Sequence, residues 1–179
     1  MLKLEKIFDK FAKFIGYICA FATFLMMLNV FLDVILRYFF KTGSLALQEM
    51  EWHFFSVVML FGLVYTLSQD AHVRVDIVYD KLDHKKKAII NIFGTLIFLL
   101  PISLLIAINS TPYALESFNS NEGSADPGGL AYWWIVKGMI PLSFWFLVFY
   151  SVGFIIKNIN LYRGCDSNLN QRIDKKALA

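Results

Sequence analysis

Charged residues are scarce in this chain of 179 residues, since Asp, Glu, Lys and Arg make up 17% of it, against roughly 25% in soluble domains. Hydrophobic residues make up 58%, which is more than the polar surface of a soluble domain of this size can cover. The charges are also clustered, so that long stretches carry almost none. This composition excludes an ordinary soluble domain and predicts an integral membrane protein.

Motifs of enzyme chemistry are lacking as well: the sequence contains no nucleophile motif, P-loop or dinucleotide fingerprint. Its two cysteines, Cys19 in an apolar run and Cys165 in the C-terminal tail, are not placed to meet, and no disulfide is expected. His53, His72 and His84 match no standard metal-ligand spacing. We therefore expect no enzyme, no cofactor or metal site on this chain, and no nucleic-acid partner.

Four apolar runs are long enough to cross about 30 Å of hydrocarbon as helices of roughly 20 residues. Each must be helical, because backbone groups in lipid have no water to bond. We predict an all-α integral membrane protein with one four-helix domain over residues 1–162. A polar cytoplasmic tail, residues 163–179, is predicted to be disordered. The predicted spans are about 14–36, 46–69, 88–111 and 131–157.

The segment ahead of the first run alternates lysines with apolar residues. A signal peptide is disfavoured, because the run is longer than a usual h-region and continues into "LRYFFKTG" without a small-residue cleavage site. The pattern predicts an uncleaved first span, preceded by a short amphipathic helix that lies on the membrane surface in contact with lipid.

Lysine and arginine predict the orientation. Fourteen of them fall in the N-terminal segment, the second loop and the C-terminal tail, against two in the first loop and none in the third. Basic residues concentrate on the cytoplasmic side of membrane proteins. Both termini and the second loop are therefore predicted to be cytoplasmic.

An ionisable residue inside a span suggests a functional site, and the first span contains Asp33. Asn29, Asp33 and Arg37 follow one another at i+4 steps on one helix face, in the order that favours an ion pair. Asp33 is either an ion-coupling carboxylate or part of a structural cluster with Arg37, in which Glu49 or Glu51 also takes part. The structural interpretation is favoured, because no polar residue at the middle of another span matches Asp33.

Two prolines and the third loop complete the polar features. Pro101 and Pro141 fall inside spans and predict packing kinks rather than a transport site. The third loop contains "DPGG", which predicts a defined turn, and carries Glu116, Glu122 and Asp126 with no lysine or arginine. It is either a solvated hairpin or an acidic docking surface for a soluble partner.

Several short motifs, taken in order, resemble a known family. "RYFF", "LQEMEW" and "HVRVDI" are followed by "EGSADPGGL" and "KGMIPL". This series, over about residues 37–142, resembles the small, DctQ-like membrane subunit of tripartite ATP-independent periplasmic (TRAP) transporters. Trp52, His72, Arg74 and Asp76 lie within these motifs and become interface candidates beside the cluster around Asp33.

The resemblance implies a bacterial inner-membrane uptake system for organic acids with three components. A periplasmic binding protein captures the substrate, and a large, DctM-like membrane subunit holds the substrate and sodium. This chain is then an accessory scaffold packed against the large subunit, and Glu116, Glu122 and Asp126 are candidates for docking the binding protein. Two alternatives stay open: a self-sufficient small transporter that uses Asp33, and a membrane anchor subunit of another complex.

Overall fold

The computed structural model describes residues 2–69 and 82–163, which form four long helices and no strand. All four are long and apolar enough to cross a membrane, so the predicted all-α, four-span fold is confirmed. The helices are α1, Leu2–Phe39; α2, Leu45–Ser68; α3, composed of His84–Gly94, a π-helical turn Thr95–Leu99 and Leu100–Asn119; and α4, Trp134–Tyr162.

The helices run alternately up and down and form two hairpins. α1 packs against α2, and α3 packs against α4. We call the end of the bundle with the connections 40–44 and 120–133 the acidic end, and the end with residues 2–13, 82–87 and 157–163 the basic end.

α4 lies at the centre of the bundle, because it contacts each of the other three helices. In its most apolar 18-residue stretch 39% of the residues are buried, against 17–22% in the corresponding stretches of the other spans. Its residues Leu147, Tyr150 and Phe154 pack against residues of α1 and α2 that include Ile15 and Val64. Most apolar side chains of α1 and α3 are exposed, whereas most of those on α2 are half-buried, so α1 and α3 present the larger apolar surfaces to lipid.

The N-terminal segment corrects one prediction, because it is not a separate helix lying on the membrane surface. It forms the first turns of α1, which continues without interruption for 38 residues, or about 57 Å. The ring of Phe8 occupies the space over Gly153, so closely that a Cβ there would overlap it. Contacts of this kind with α4 hold the segment in line with the span.

The two predicted proline kinks differ in structure. The π-helical turn Thr95–Leu99 ends two residues before Pro101, which has no backbone N–H to continue the regular hydrogen-bond ladder. Pro141 lies inside α4, which stays helical from Trp134 to Tyr162. Pro112, which falls just beyond the third predicted span, also lies inside a helix, near the end of α3.

Candidate functional site

The third loop is fixed to the start of α2 by the carboxylate of Glu49. One oxygen, Oε2, accepts the backbone N–H of Leu130 at 2.5 Å, and the other, Oε1, accepts the hydroxyl of Ser124. Ser124 and Leu130 are 75 and 81 positions from Glu49 in the chain, respectively. A single acidic side chain of the first hairpin therefore sets the position of the loop between α3 and α4.

The loop is also closed on itself. The backbone N–H of Ser124 bonds to the carbonyl of Leu130 at 2.9 Å, and that of Gly129 bonds to Asp126 at 3.1 Å. Gly128 has φ +85, a conformation that side chains disfavour. A Cβ at Gly129 would overlap Ser124 and Glu49. The two glycines of "DPGG" therefore have different roles, one in the turn and one in the close approach to Glu49.

Glu122 and Lys137 join this loop to α4. The ammonium Nζ lies 2.6 and 2.5 Å from the two carboxylate oxygens and 4.4 Å above the ring of Tyr113 on α3. The hydrogen bonds from Lys137 hold the pKa of the Glu122 carboxyl below its usual range. Lys137 lies inside the fourth predicted span, 131–157, and an intramembrane charge is expected to have a partner.

Asp33 pairs with Arg37 on its own helix, at 2.5 Å. The carboxylate side chain is 8% exposed and the guanidinium 51% exposed, and Asp33 Oδ1 is buried with no hydrogen-bond partner among the described residues. One turn earlier, Asn29 Nδ2 donates to the carbonyl of Leu47 at 2.8 Å and joins α1 to α2. Glu49 does not join this pair, because both its oxygens bind the third loop.

The other predicted residues are placed separately. Glu51 is half-buried and has no polar partner in the described part of the chain, and Trp52 is exposed and makes a T-shaped ring contact with Phe55. Of the three predicted docking residues, Glu116 and Asp126 are exposed at the acidic end. The third, Glu122, forms an ion pair with Lys137. His72, Arg74 and Asp76 lie outside the described residues.

The basic end contains a second set of polar contacts, which the sequence analysis missed. Asn91 on α3 donates to the side chain of Asn158 on α4 at 2.8 Å, and both are buried. Asn160 donates to the carboxylate of Glu5 at 2.9 Å, with Glu5 only 2% exposed. The only sequence signal was the presence of asparagines in apolar segments, where side-chain amides commonly hydrogen-bond across helices.

The buried hydroxyl groups of the central bundle bond to their own helices. Ser103 and Ser151 donate to the carbonyls of Leu99 and Leu147, four residues earlier in each case. Among residues 2–69 and 82–163, no group of three or more His, Cys, Asp or Glu side chains could hold a metal ion. The described residues thus use their polar groups to join helices and a loop.

The outward face of α1 carries a regular row of large apolar side chains. Seven of them are 47–75% exposed, and Ile35 is half-buried. They are spaced alternately by three and four residues, which is the heptad repeat of helices that pack along one another. We call this row the aromatic seam: Phe14, Tyr17, Phe21, Phe24, Leu28, Phe31, Ile35 and Tyr38.

The fold and its polar contacts define a small multi-pass membrane protein built around interhelical contacts. The chain matches the family described as "Tripartite ATP-independent periplasmic transporters, DctQ component" over residues 26–161. This match covers most of the chain, including all of α2, α3 and the third loop with its anchor Glu49. The chain belongs to the DctQ family, and the family resemblance inferred from the sequence motifs is confirmed.

Two relatives from Haemophilus influenzae are similar to this chain, and both are described as TRAP transporter small permease proteins. One is 28% identical over 73% of this chain and 81% of its own length, and the other is 24% identical over 84% and 88%. No solved structure matches the chain. The family is one of transporters rather than enzymes, and its description implies a complex of three components.

Proposed function

We propose that this chain is the small scaffold subunit of a sodium-coupled, binding-protein-dependent transporter for organic acids in a bacterial inner membrane. Both termini are cytoplasmic in this proposal, as the distribution of lysine and arginine indicates. Sodium and substrate bind the large membrane subunit, and a periplasmic binding protein delivers the substrate. Membership of the DctQ family supports the general assignment.

The observation that carries the scaffold role is the aromatic seam. Lipid tails impose no heptad spacing on the helix that they surround, whereas a packed partner helix does. The seam extends over about seven turns of α1 on the side away from the bundle core, where Ala12, Ile15 and Cys19 pack. We therefore place a helix of the large subunit along this seam.

The described polar groups support an accessory role over an independent transporter. A self-sufficient carrier needs unpaired polar groups near the middle of its spans. Asp33 is the candidate for such a group, but it pairs with Arg37 two turns from the end of α1 and lies beside the Asn29–Leu47 contact. This position suits a structural ion pair at the acidic end.

The seam is tested by a matched pair of truncations, Phe24→Ala on α1 and Phe93→Ala on α3. Both rings are 61% exposed, so lipid exposure alone predicts equal effects. With the small and large subunits co-expressed and only the large one tagged, Phe24→Ala is expected to reduce recovery of the small subunit about tenfold, as truncation of an interface anchor does. Equal recovery of the two variants would contradict the placement on α1.

The transport role is tested separately in proteoliposomes. Both membrane subunits and the binding protein are combined with a radiolabelled organic acid and an imposed sodium gradient. Uptake is expected only with all three proteins and an inward gradient. Uptake by this chain alone, abolished by Asp33→Asn, would instead support the self-sufficient transporter.

A further inference from the structure

A second outward feature lies on the opposite side of the bundle, where α2, α3 and α4 leave an open groove of about 510 Å³. This size falls within the range of small-molecule sites. The lining is almost wholly apolar and includes Leu67 on α2, Phe98 and Ile102 on α3, and Phe154 on α4. Along α3 the groove extends from Ile90 to Ser103, or about 20 Å, which is longer than one leaflet's share of the roughly 30 Å hydrocarbon core.

The π-helical turn Thr95–Leu99 forms part of the groove wall. Such turns are rare and often occur at functional sites. Just before it lies Gly94, where an added Cβ would meet no atom within 4 Å. The wall of the groove is therefore open at Gly94, because no side chain of residues 2–69 or 82–163 fills the space.

Positive charge lies at one end of this groove. Lys157 Nζ lies 3.3 Å from the carbonyl of Ser68, which follows the lining residue Leu67. Lys86 is exposed and precedes the lining residue Ile90 by four positions, on the same face of α3. An apolar groove with two ammonium groups at its mouth matches a molecule that has a hydrocarbon chain and an anionic head.

We propose that this groove binds one anionic phospholipid, with an acyl chain along α3 and its phosphate between Lys86 and Lys157. Basic pockets between transmembrane helices commonly hold acidic lipid headgroups. A partner helix would fill the groove as well, but the two lysines at its end favour an anionic occupant. The site is distinct from the aromatic seam, which lies on α1.

The charge requirement is tested on the full chain, purified in detergent and delipidated, by native mass spectrometry with phosphatidylglycerol or phosphatidylcholine. The native chain is expected to bind phosphatidylglycerol about tenfold more tightly than phosphatidylcholine. Each lysine near the headgroup contributes up to about fivefold, and exposure to solvent reduces the combined effect of the two. The double variant Lys86→Gln/Lys157→Gln is expected to reduce this preference below about twofold. Lys10→Gln/Lys13→Gln, on exposed positions of α1, is the control and retains the preference.

The groove itself is tested by Gly94→Leu, which places a side chain in the open space and favours the helix. Gly62→Leu is the matched control, because Gly62 on α2 also has nothing within 4 Å of an added Cβ and does not line the groove. Gly94→Leu is expected to weaken phosphatidylglycerol binding about tenfold, while Gly62→Leu leaves it unchanged. Circular dichroism and gel filtration verify that both variants are folded.

Three outcomes would overturn the proposal. Unchanged lipid binding in Gly94→Leu would place the lipid elsewhere, and an undiminished anionic preference in the double lysine variant would remove the headgroup site. If the chain binds neither lipid, but Gly94→Leu lowers recovery with the large subunit, the groove holds a partner helix instead.

Discussion

The two ends of the bundle are held together by different chemistry. At the acidic end, charged groups make the contacts: Glu49 holds the third loop, and Glu122 pairs with Lys137. At the basic end, side-chain amides make the contacts: Asn91 and Asn158, a buried neutral pair, join α3 to α4, and Asn160 donates to the buried carboxylate of Glu5 on α1. The charged contacts lie at the edge of the bundle, where water reduces the cost of a charge, and the amide pair is buried, where a neutral group costs less.

This difference indicates which end is built to present a surface. The carboxylate of Glu49 fixes a loop of irregular backbone, and so leaves Asp126 exposed in a defined position at the end of the bundle where Glu116 is also exposed. The amide pair at the basic end fixes one helix against another. The acidic end is therefore the better candidate for meeting a soluble partner, and the basic end for keeping the helices in register.

Breaking the Asp33–Arg37 pair is expected to have the largest effect on stability. Arg37→Ala leaves a carboxylate that is 8% exposed without its partner. Loss of one member of a fully buried pair costs 3–5 kcal/mol, but Arg37 is half exposed, so about 1–2 kcal/mol is expected after solvent screening. Thermal unfolding in detergent measures this loss.

The control for Arg37→Ala is the double variant Arg37→Ala/Asp33→Asn, in which the buried group is neutral. It is expected to recover most of the lost stability. No recovery would mean that Arg37 acts through packing of its aliphatic stem rather than through charge.

The sequence predicts this pair because its two residues are neighbours on one helix face, and it predicts the four spans because length and apolarity are local properties. It does not predict the contact between Glu49 and Leu130, since these residues are 81 positions apart and their meeting depends on how two hairpins pack. The same holds for Asn91 and Asn158, which are 67 positions apart. Lys137 was the partial exception, because a charge in a span indicates a partner without naming it.

Removing the loop anchor is expected to have the next largest effect. Glu49→Ala leaves the N–H of Leu130 and the hydroxyl of Ser124 without their acceptor, so the loop 120–133 opens more often. Limited proteolysis of the loop is expected to be about tenfold faster than in the native chain, with little change in overall helix content. Glu51→Gln is the matched control, since Glu51 has no polar partner among the described residues, and equal proteolysis of the two variants would show that Glu49 does not anchor the loop.

The amide pair at the basic end is expected to have a smaller effect. Asn91→Ala and Asn158→Ala each remove one side of a buried hydrogen bond. Interhelical hydrogen bonds in membrane proteins contribute about 0.6 kcal/mol on average and about 1.7 at most in double-mutant cycles. A cycle with both single variants and the double variant is expected to give a coupling energy in this range, and a coupling energy near zero would mean that the two amides contribute independently.

The smallest effect on stability is expected from breaking the Glu122–Lys137 pair, and this effect depends on pH. Because the pKa of Glu122 is lowered by the Lys137 hydrogen bond, the folded chain favours the ionised carboxylate. The stabilisation is therefore complete above the pKa of an unfolded glutamate, about 4.3, and is lost as the pH falls through the lower folded pKa.

Glu122→Gln should thus destabilise the chain at pH 7 by an amount that decreases only below about pH 4.3. Thermal unfolding in detergent at a series of pH values would measure this change. Glu116→Gln, at an exposed carboxylate of the same end, controls for the loss of a negative charge. A carboxyl NMR titration of Glu122 should give a higher pKa in Lys137→Met than in the native chain, and equal values in the two chains would show that Lys137 does not stabilise the charged form.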